Sequence, residues 1–161
     1  VTENIFKTAV LHHSKGNFSK AKEIYESLLK TNPNNLAALQ NYGTLLSQTK
    51  EYKKAEDIFE KCLKIKPKDH LLLYNYGKCF HDQKIFEKAI KFYEESFKIE
   101  PKKNLSIYNM GNIYFSKGEF EKAISAFKRS IEVNPENFLA HNNLALSYKS
   151  IGNFEFFLIQ R

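Results

Sequence analysis

The sequence has no tryptophan, one methionine and only two cysteines, Cys62 and Cys79. Two thiols are too few to staple a secreted disulfide fold, so a reducing, cytoplasmic compartment is expected. No apolar run exceeds a few residues, so no segment is long enough to span a bilayer, and no membrane partner is expected. The N-terminal stretch VTENIFKTAV has neither a basic leader nor a long apolar core, so it does not read as a secretory signal.

Chemical motifs are equally scarce. Neither GxxxxGK[ST] nor GxGxxG occurs, which removes the two commonest phosphate loops. The histidines are His12, His13, His70, His81 and His141. No two lie at the i, i+4 spacing that puts two ligands on one helix face, and none accompanies a CxxC. They read as structural or solvated groups, with no metal site and no cofactor. The cysteines read as buried thiols acting as small apolar residues, with a redox pair as the alternative. Acids and bases alternate on helical faces, as in EKAIKFYEES, which is ordinary solvation rather than a catalytic constellation. The expectation is a protein that is not an enzyme.

Proline is also rare, but its placement is informative. The four prolines are Pro33, Pro67, Pro101 and Pro135, each 34 residues after the last. Gly43, Gly77 and Gly111 keep the same period, followed by Ala145. So do Ala21, Ala55, Ala89 and Ala123. Two aromatic columns agree: Phe18, Tyr52, Phe86, Phe120 and Phe154, then Tyr25, Phe59, Tyr93 and Phe127. Agreement of independent columns at one period marks a repeat architecture.

Within a period, two stretches have helical spacing. Ile107, Met110, Gly111 and Tyr114 share one helix face; Phe120, Ala123, Ile124, Phe127 and Ile131 share another. SKGE between them is a tight turn, with Gly118 suited to a left-handed helix end. Each proline stops the second helix, and a nearby Asn or Asp can cap the next. The small Gly or Ala column lets two helices approach closely, and the aromatic columns fill the space around them.

These columns resemble the tetratricopeptide repeat over nearly the whole chain. The resemblance implies an all-α fold, a right-handed solenoid of antiparallel helix pairs. Residues 1–161 would form a single domain with repeats at about 2–35, 36–69, 70–103 and 104–137, and a partial fifth at 138–161. The family's usual first-helix Trp is replaced by Ile5, Leu39, Leu73, Ile107 and His141. Thr8, Ala9 and His12 give the first repeat a more polar pattern, as a terminal repeat with one unpaired face allows.

By the same resemblance the first helices line a concave groove where partners bind, which implies a protein-interaction module. Asn41, Asn75, Asn109 and Asn143 recur there at the 34-residue period. A primary amide carries an acceptor and two donors, so a row of them can hold an extended peptide backbone. Tyr74, Lys78, Tyr108 and Asn112 beside them would tune the choice of partner. The row is similar to the asparagine ladder of O-linked N-acetylglucosamine transferase-type arrays; the alternative is that these amides pack or cap neighbouring helices. Other readings at the level of function are a substrate-recruiting region of a longer enzyme, such as a glycosyltransferase, or a self-assembling repeat protein.

The net charge of +7 does not gather in this groove. Its expected lining holds Lys7, Lys78 and Lys149 against Glu3 and Asp82, too little for a connected phosphate-binding stripe, so nucleic acid is not the expected partner. A carboxylate clamp of the chaperone-binding kind needs basic residues on consecutive first helices. The matching basic places hold Phe6, Leu71 and Asn75, or Gln40, Leu105 and Asn109, or Tyr74, Leu139 and Asn143; none is Lys or Arg, so no clamp is expected. Finally, Gly152, Asn153 and Phe154 match the turn of earlier repeats, but Phe157 then stands in the alanine column. Phe154, Phe156, Phe157, Leu158 and Ile159 therefore read either as a terminal cap over the last helix or as a contact between copies in a homo-oligomer.

Overall fold

The computed structural model describes residues 2–102 and 105–159, with side chains described for 3–102 and 105–152. Among the described residues all regular structure is helical. The elements are α1 (Thr2–Ser14), α2 (Phe18–Thr31), α3 (Leu36–Gln48), α4 (Tyr52–Ile65), α5 (His70–Asp82), α6 (Phe86–Ile99), α7 (Ser106–Ser116), α8 (Phe120–Val133) and α9 (Phe138–Ile159). They fall into two compact units, Val1–Ile85 and Phe86–Arg161. In the first unit α1 packs along α2 and α3 along α4; in the second α7 packs along α8, and α8 along α9.

The helix boundaries follow local chemistry. Asn35 accepts a hydrogen bond from the Ala38 N–H (3.1 Å), and Asp69 accepts from Leu71 and Leu72 (3.0 and 3.1 Å). Asn137 accepts likewise from Ala140 (3.2 Å). Each cap stands two residues beyond a column proline and satisfies an orphan donor of a helix start. α7 starts at Ser106, with Leu105 before it and no side-chain cap hydrogen bond.

Within each pair, the turn requires one residue in the left-handed region. Gly16 (φ 75°) and Gly118 (φ 74°) supply it without strain, whereas Lys50 (φ 63°) and Lys84 (φ 61°) hold the equivalent positions. The close approach expected of the small column is present. A methyl group at Gly43 would sit 3.0 Å from Cε1 of Phe59, and one at Gly111 would sit 2.5 Å from Cε1 of Phe127. Both rings are fully buried. In the first repeat the column holds Ala9, which shares a buried cluster with Ala21, Tyr25 and Leu45.

Polar contacts join successive helix pairs. Glu51 bridges Lys22 (2.6 Å) and Lys54 (2.8 Å), tying the second helices α2 and α4. The two lysines, Lys22 above all, hold its carboxyl down at about 2. Glu119 pairs with Lys122 (2.7 Å) as Glu51 does with Lys54, and with Lys117 of the preceding turn (3.0 Å), which also reaches Glu87 of α6 (3.5 Å).

The fifth repeat departs from its expected register. Gly152, Asn153 and Phe154 match the turn triplet, yet α9 continues through them as one helix of 22 residues. Gly152 does not take the positive φ of Gly16 and Gly118. A full ring at the alanine column, where Phe157 stands in sequence, would obstruct the usual pairing. Continuing the helix instead keeps the backbone donors and acceptors paired. The oligomer-contact residues Phe154, Phe156, Phe157, Leu158 and Ile159 have side chains outside the described residues.

Candidate functional site

The first helices carry most of the residues expected to meet a partner. Their second and third turns face away from the paired helix because the apolar stripe, with the small column at its centre, must face inward. In the first unit this leaves an open depression of roughly 540 Å³ between α1 and α3. Val10, His13, Ser14, Asn41 and Gln48 line it, with Gly16 and Phe18 at the turn. His13 Nε2 lies 2.8 Å from Gln48 Oε1, so the ring donates to the amide oxygen. The same ring sits edge-on to Phe18 and Tyr25, at 5.9 and 6.1 Å. A polar floor is thus held in place by apolar neighbours.

Asn41 is half-buried at the edge of this depression. Its Nδ2 donates to the Ala37 carbonyl of its own helix (2.9 Å). Its Oδ1 has no donor among the described residues. Asn143 in the second unit is oriented differently but to similar effect: its Nδ2 donates to Tyr108 Oη (3.2 Å) and to Asn112 Oδ1 (2.9 Å). Three of the expected residues, Tyr108, Asn112 and Asn143, are therefore brought together by direct hydrogen bonds between α7 and α9. Tyr108 is also packed against Phe127, ring centroids 5.9 Å apart.

The remaining candidates lie on the same helical register. Asn75 and Tyr74 are half-buried on α5, and Asn109 is half-buried on α7. Lys78 is exposed and pairs with Asp82 one turn on (2.9 Å). Its charge is balanced locally, and a pair of this exposure adds little stability.

Two features of the site were not read from the sequence. One is the restraint on the amides: Asn41 and Asn143 both donate from Nδ2 to groups of the protein itself, so what each keeps to offer is mainly its Oδ1 acceptor. The other is the lateral register. His13–Gln48 and Tyr108–Asn143 each span 35 residues, one repeat plus one. The 34-residue period alone does not give that one-residue offset, which comes from how neighbouring first helices pack.

Among the described residues no group of three or more His, Cys, Asp or Glu side chains is placed to hold a metal ion. No helix among them is long and apolar enough to cross a membrane. Cys62 and Cys79 are both buried and unpaired. Burial pushes the Cys62 thiol up to about 11 and raises that of Cys79 as well, which keeps both as neutral, weakly nucleophilic groups.

Family profiles described as tetratricopeptide repeat match residues 12–72 and 71–103, and one described as TPR repeat matches 111–152. Together they span most of the chain. No curated protein matches it by sequence. Among solved structures, MamA is similar with a TM-score of 0.79 at 23% identity, over 94% of this chain and 82% of that one. PilF of Pseudomonas aeruginosa is similar with a TM-score of 0.83 at 20% identity, over 94% and 69%. A tetratricopeptide repeat protein from Parabacteroides merdae gives 0.80 at 22%, over 96% and 61%. These likenesses concern the fold, an all-α helical-repeat solenoid.

Proposed function

The chain belongs to the tetratricopeptide repeat family, whose repeats build protein-interaction scaffolds, and from that premise we propose that it is a non-enzymatic module binding an extended peptide segment along its first helices. The observation that carries this reading is the depression between α1 and α3. Val10, His13, Ser14 and Gln48 line it beside Asn41, whose Nδ2 is held by the Ala37 carbonyl and whose Oδ1 has no donor among the described residues. An extended backbone presents an N–H every other residue on one side, which is the group such an oxygen accepts.

Asn41, Asn75, Asn109 and Asn143 make the main-chain contacts in this reading. Tyr74, Lys78, Tyr108 and Asn112 set the preference for neighbouring side chains. The partner is a protein segment rather than nucleic acid, since the first helices carry few basic residues and Lys78 is already paired. It is also not a chaperone C-terminus held by a carboxylate clamp, because the places for the clamping bases are occupied by uncharged residues. Two buried, unpaired thiols suit a reducing, cytoplasmic setting.

The test uses linear peptides selected from a displayed random library against the whole chain. Changing Asn75 and Asn109 to Ala together should weaken a selected peptide by about 1–3 kcal/mol while leaving the helical circular dichroism intact. Equal affinity in a folded double variant would remove the amides from the account.

A further inference from the structure

Four first helices bury their small-residue column and the fifth does not. Ala9, Gly43, Gly77 and Gly111 are buried, while Ala145 of α9 is exposed. Around Ala145 the same helix exposes Phe138 (75%) and Tyr148 (49%). Its opposite face is packed on α8 through the fully buried Ala140 and Ser147. The described chain does not return to cover the open side, because α9 runs straight on to Ile159.

The repeats themselves specify what fits such a face. Ala21 and Tyr25 of α2, Ala55 and Phe59 of α4, and Ala123 and Phe127 of α8 are all fully buried in their helix pairs. Every partner helix thus presents an alanine and, one turn later, an aromatic ring. The first repeat is the proper template for α9, since Ala9 stands in the same column as Ala145 and accommodates a tyrosine rather than demanding glycine.

Charge adds a second requirement. A notch beside α3 is lined by Glu26 and Lys30 of α2 together with Lys61 of α4, and its counterpart in the second unit by Glu94, Lys122 and Arg129. Lys61 and Arg129 lie two residues beyond the aromatic of their helices. Beside α9, the residue equivalent to Glu26 and Glu94 is Lys128, whose Nζ lies 5.6 Å over the Tyr148 ring. At this one position the acid of the earlier repeats is replaced by a base, so the residue set against it on an incoming helix is an acid.

We infer that the open face of α9 is a docking site for an amphipathic helix of a separate polypeptide, bearing alanine, an aromatic four residues later and an acid two residues beyond it. The site is distinct from the first-helix groove. Its occupant lies where the second helix of a fifth repeat would pack, continuing an interface that the chain already makes between its own helices.

The probe is a synthetic, helix-stapled peptide of the α2 sequence, FSKAKEIYESLLKT, carrying Ser27→Glu, with a Ser27→Lys peptide for comparison. Binding to the full chain is followed by fluorescence anisotropy. The Glu peptide should bind saturably and the Lys peptide about threefold more weakly. Ala145→Trp, at an exposed position that leaves the fold intact, should abolish binding, and Lys128→Glu should reverse the order of the two peptides. Asn41→Ala should leave both affinities unchanged, which separates this site from the groove. Absence of saturable binding, equal binding to the Ala145→Trp chain, or indifference to Lys128→Glu would overturn the inference. So would a wild-type dimer in sedimentation that Ala145→Trp converts to monomer, since the face would then belong to a second copy.

Discussion

Replacing Gly111 with alanine tests the packing that holds each helix pair together. Two effects oppose one another. Alanine is the better helix former, by about 1 kcal/mol at an interior position. Against this, the added methyl would lie 2.5, 2.7 and 3.0 Å from three atoms of the Phe127 ring. That ring is fully buried and has no solvent into which to swing. Overpacking of this kind costs about 1–3 kcal/mol, and contacts this short belong at the upper end. The expected net loss is about 1–2 kcal/mol. At Gly43 the methyl would meet Phe59 and Ile58 at 3.0–3.2 Å, so Gly43→Ala should be nearer neutral. Urea unfolding followed by circular dichroism would measure both variants. Adding Phe127→Leu to Gly111→Ala should recover part of the loss, because the clash and the substitution share one space. A Gly111→Ala chain more stable than the wild type would refute the reasoning, as propensity would then outweigh packing.

Three further outcomes are expected. The Tyr25 hydroxyl is fully buried without a hydrogen-bond partner, and burial pushes its ionisation up to about 12, so Tyr25→Phe should stabilise the chain by about 1 kcal/mol in the same urea assay. Repeats two and four already use Phe59 and Phe127 at this place. Lys50 holds a positive φ, and Lys50→Gly should raise stability by about 1 kcal/mol through relief of that strain, whereas an unchanged or lower midpoint would count against it. Glu51 is held at about 2 by Lys22 and Lys54. A depressed carboxylate contributes stability that is complete above its unfolded value near 4.5 and is lost as pH falls toward 2. Thermal midpoints recorded between pH 7 and 2 should therefore fall more steeply for the wild type than for Glu51→Gln across that window.

Much of the repeat architecture was legible because its constraints are local. Prolines end helices wherever they stand, and Asn35, Asp69 and Asn137 cap because a short acceptor at a helix start always finds free N–H groups. The close approach at Gly43 and Gly111 followed from a missing side chain repeated opposite an aromatic column. Lys50 and Lys84 were less legible: nothing in a lysine announces a left-handed backbone, and only alignment with Gly16 and Gly118 exposes it. The partners of the groove amides were hidden for a different reason. Whether Asn143 faces a ligand or Tyr108 and Asn112 depends on the offset between neighbouring first helices, a tertiary quantity that the 34-residue period does not contain. The tail misled in one respect. A turn triplet recurs at Gly152, but a turn forms only when a second helix packs back, and here α9 continues.

The central claim is that restrained asparagine oxygens on the first helices accept hydrogen bonds from the backbone of an extended partner. It is tested most directly by a double-mutant cycle on a library-selected peptide, pairing Asn41→Ala in the chain with N-methylation of each peptide N–H in turn. The account predicts one methylation site whose cost disappears in the Asn41→Ala chain, a coupling of about 1 kcal/mol. Purely additive effects at every peptide position, with binding otherwise intact, would contradict it.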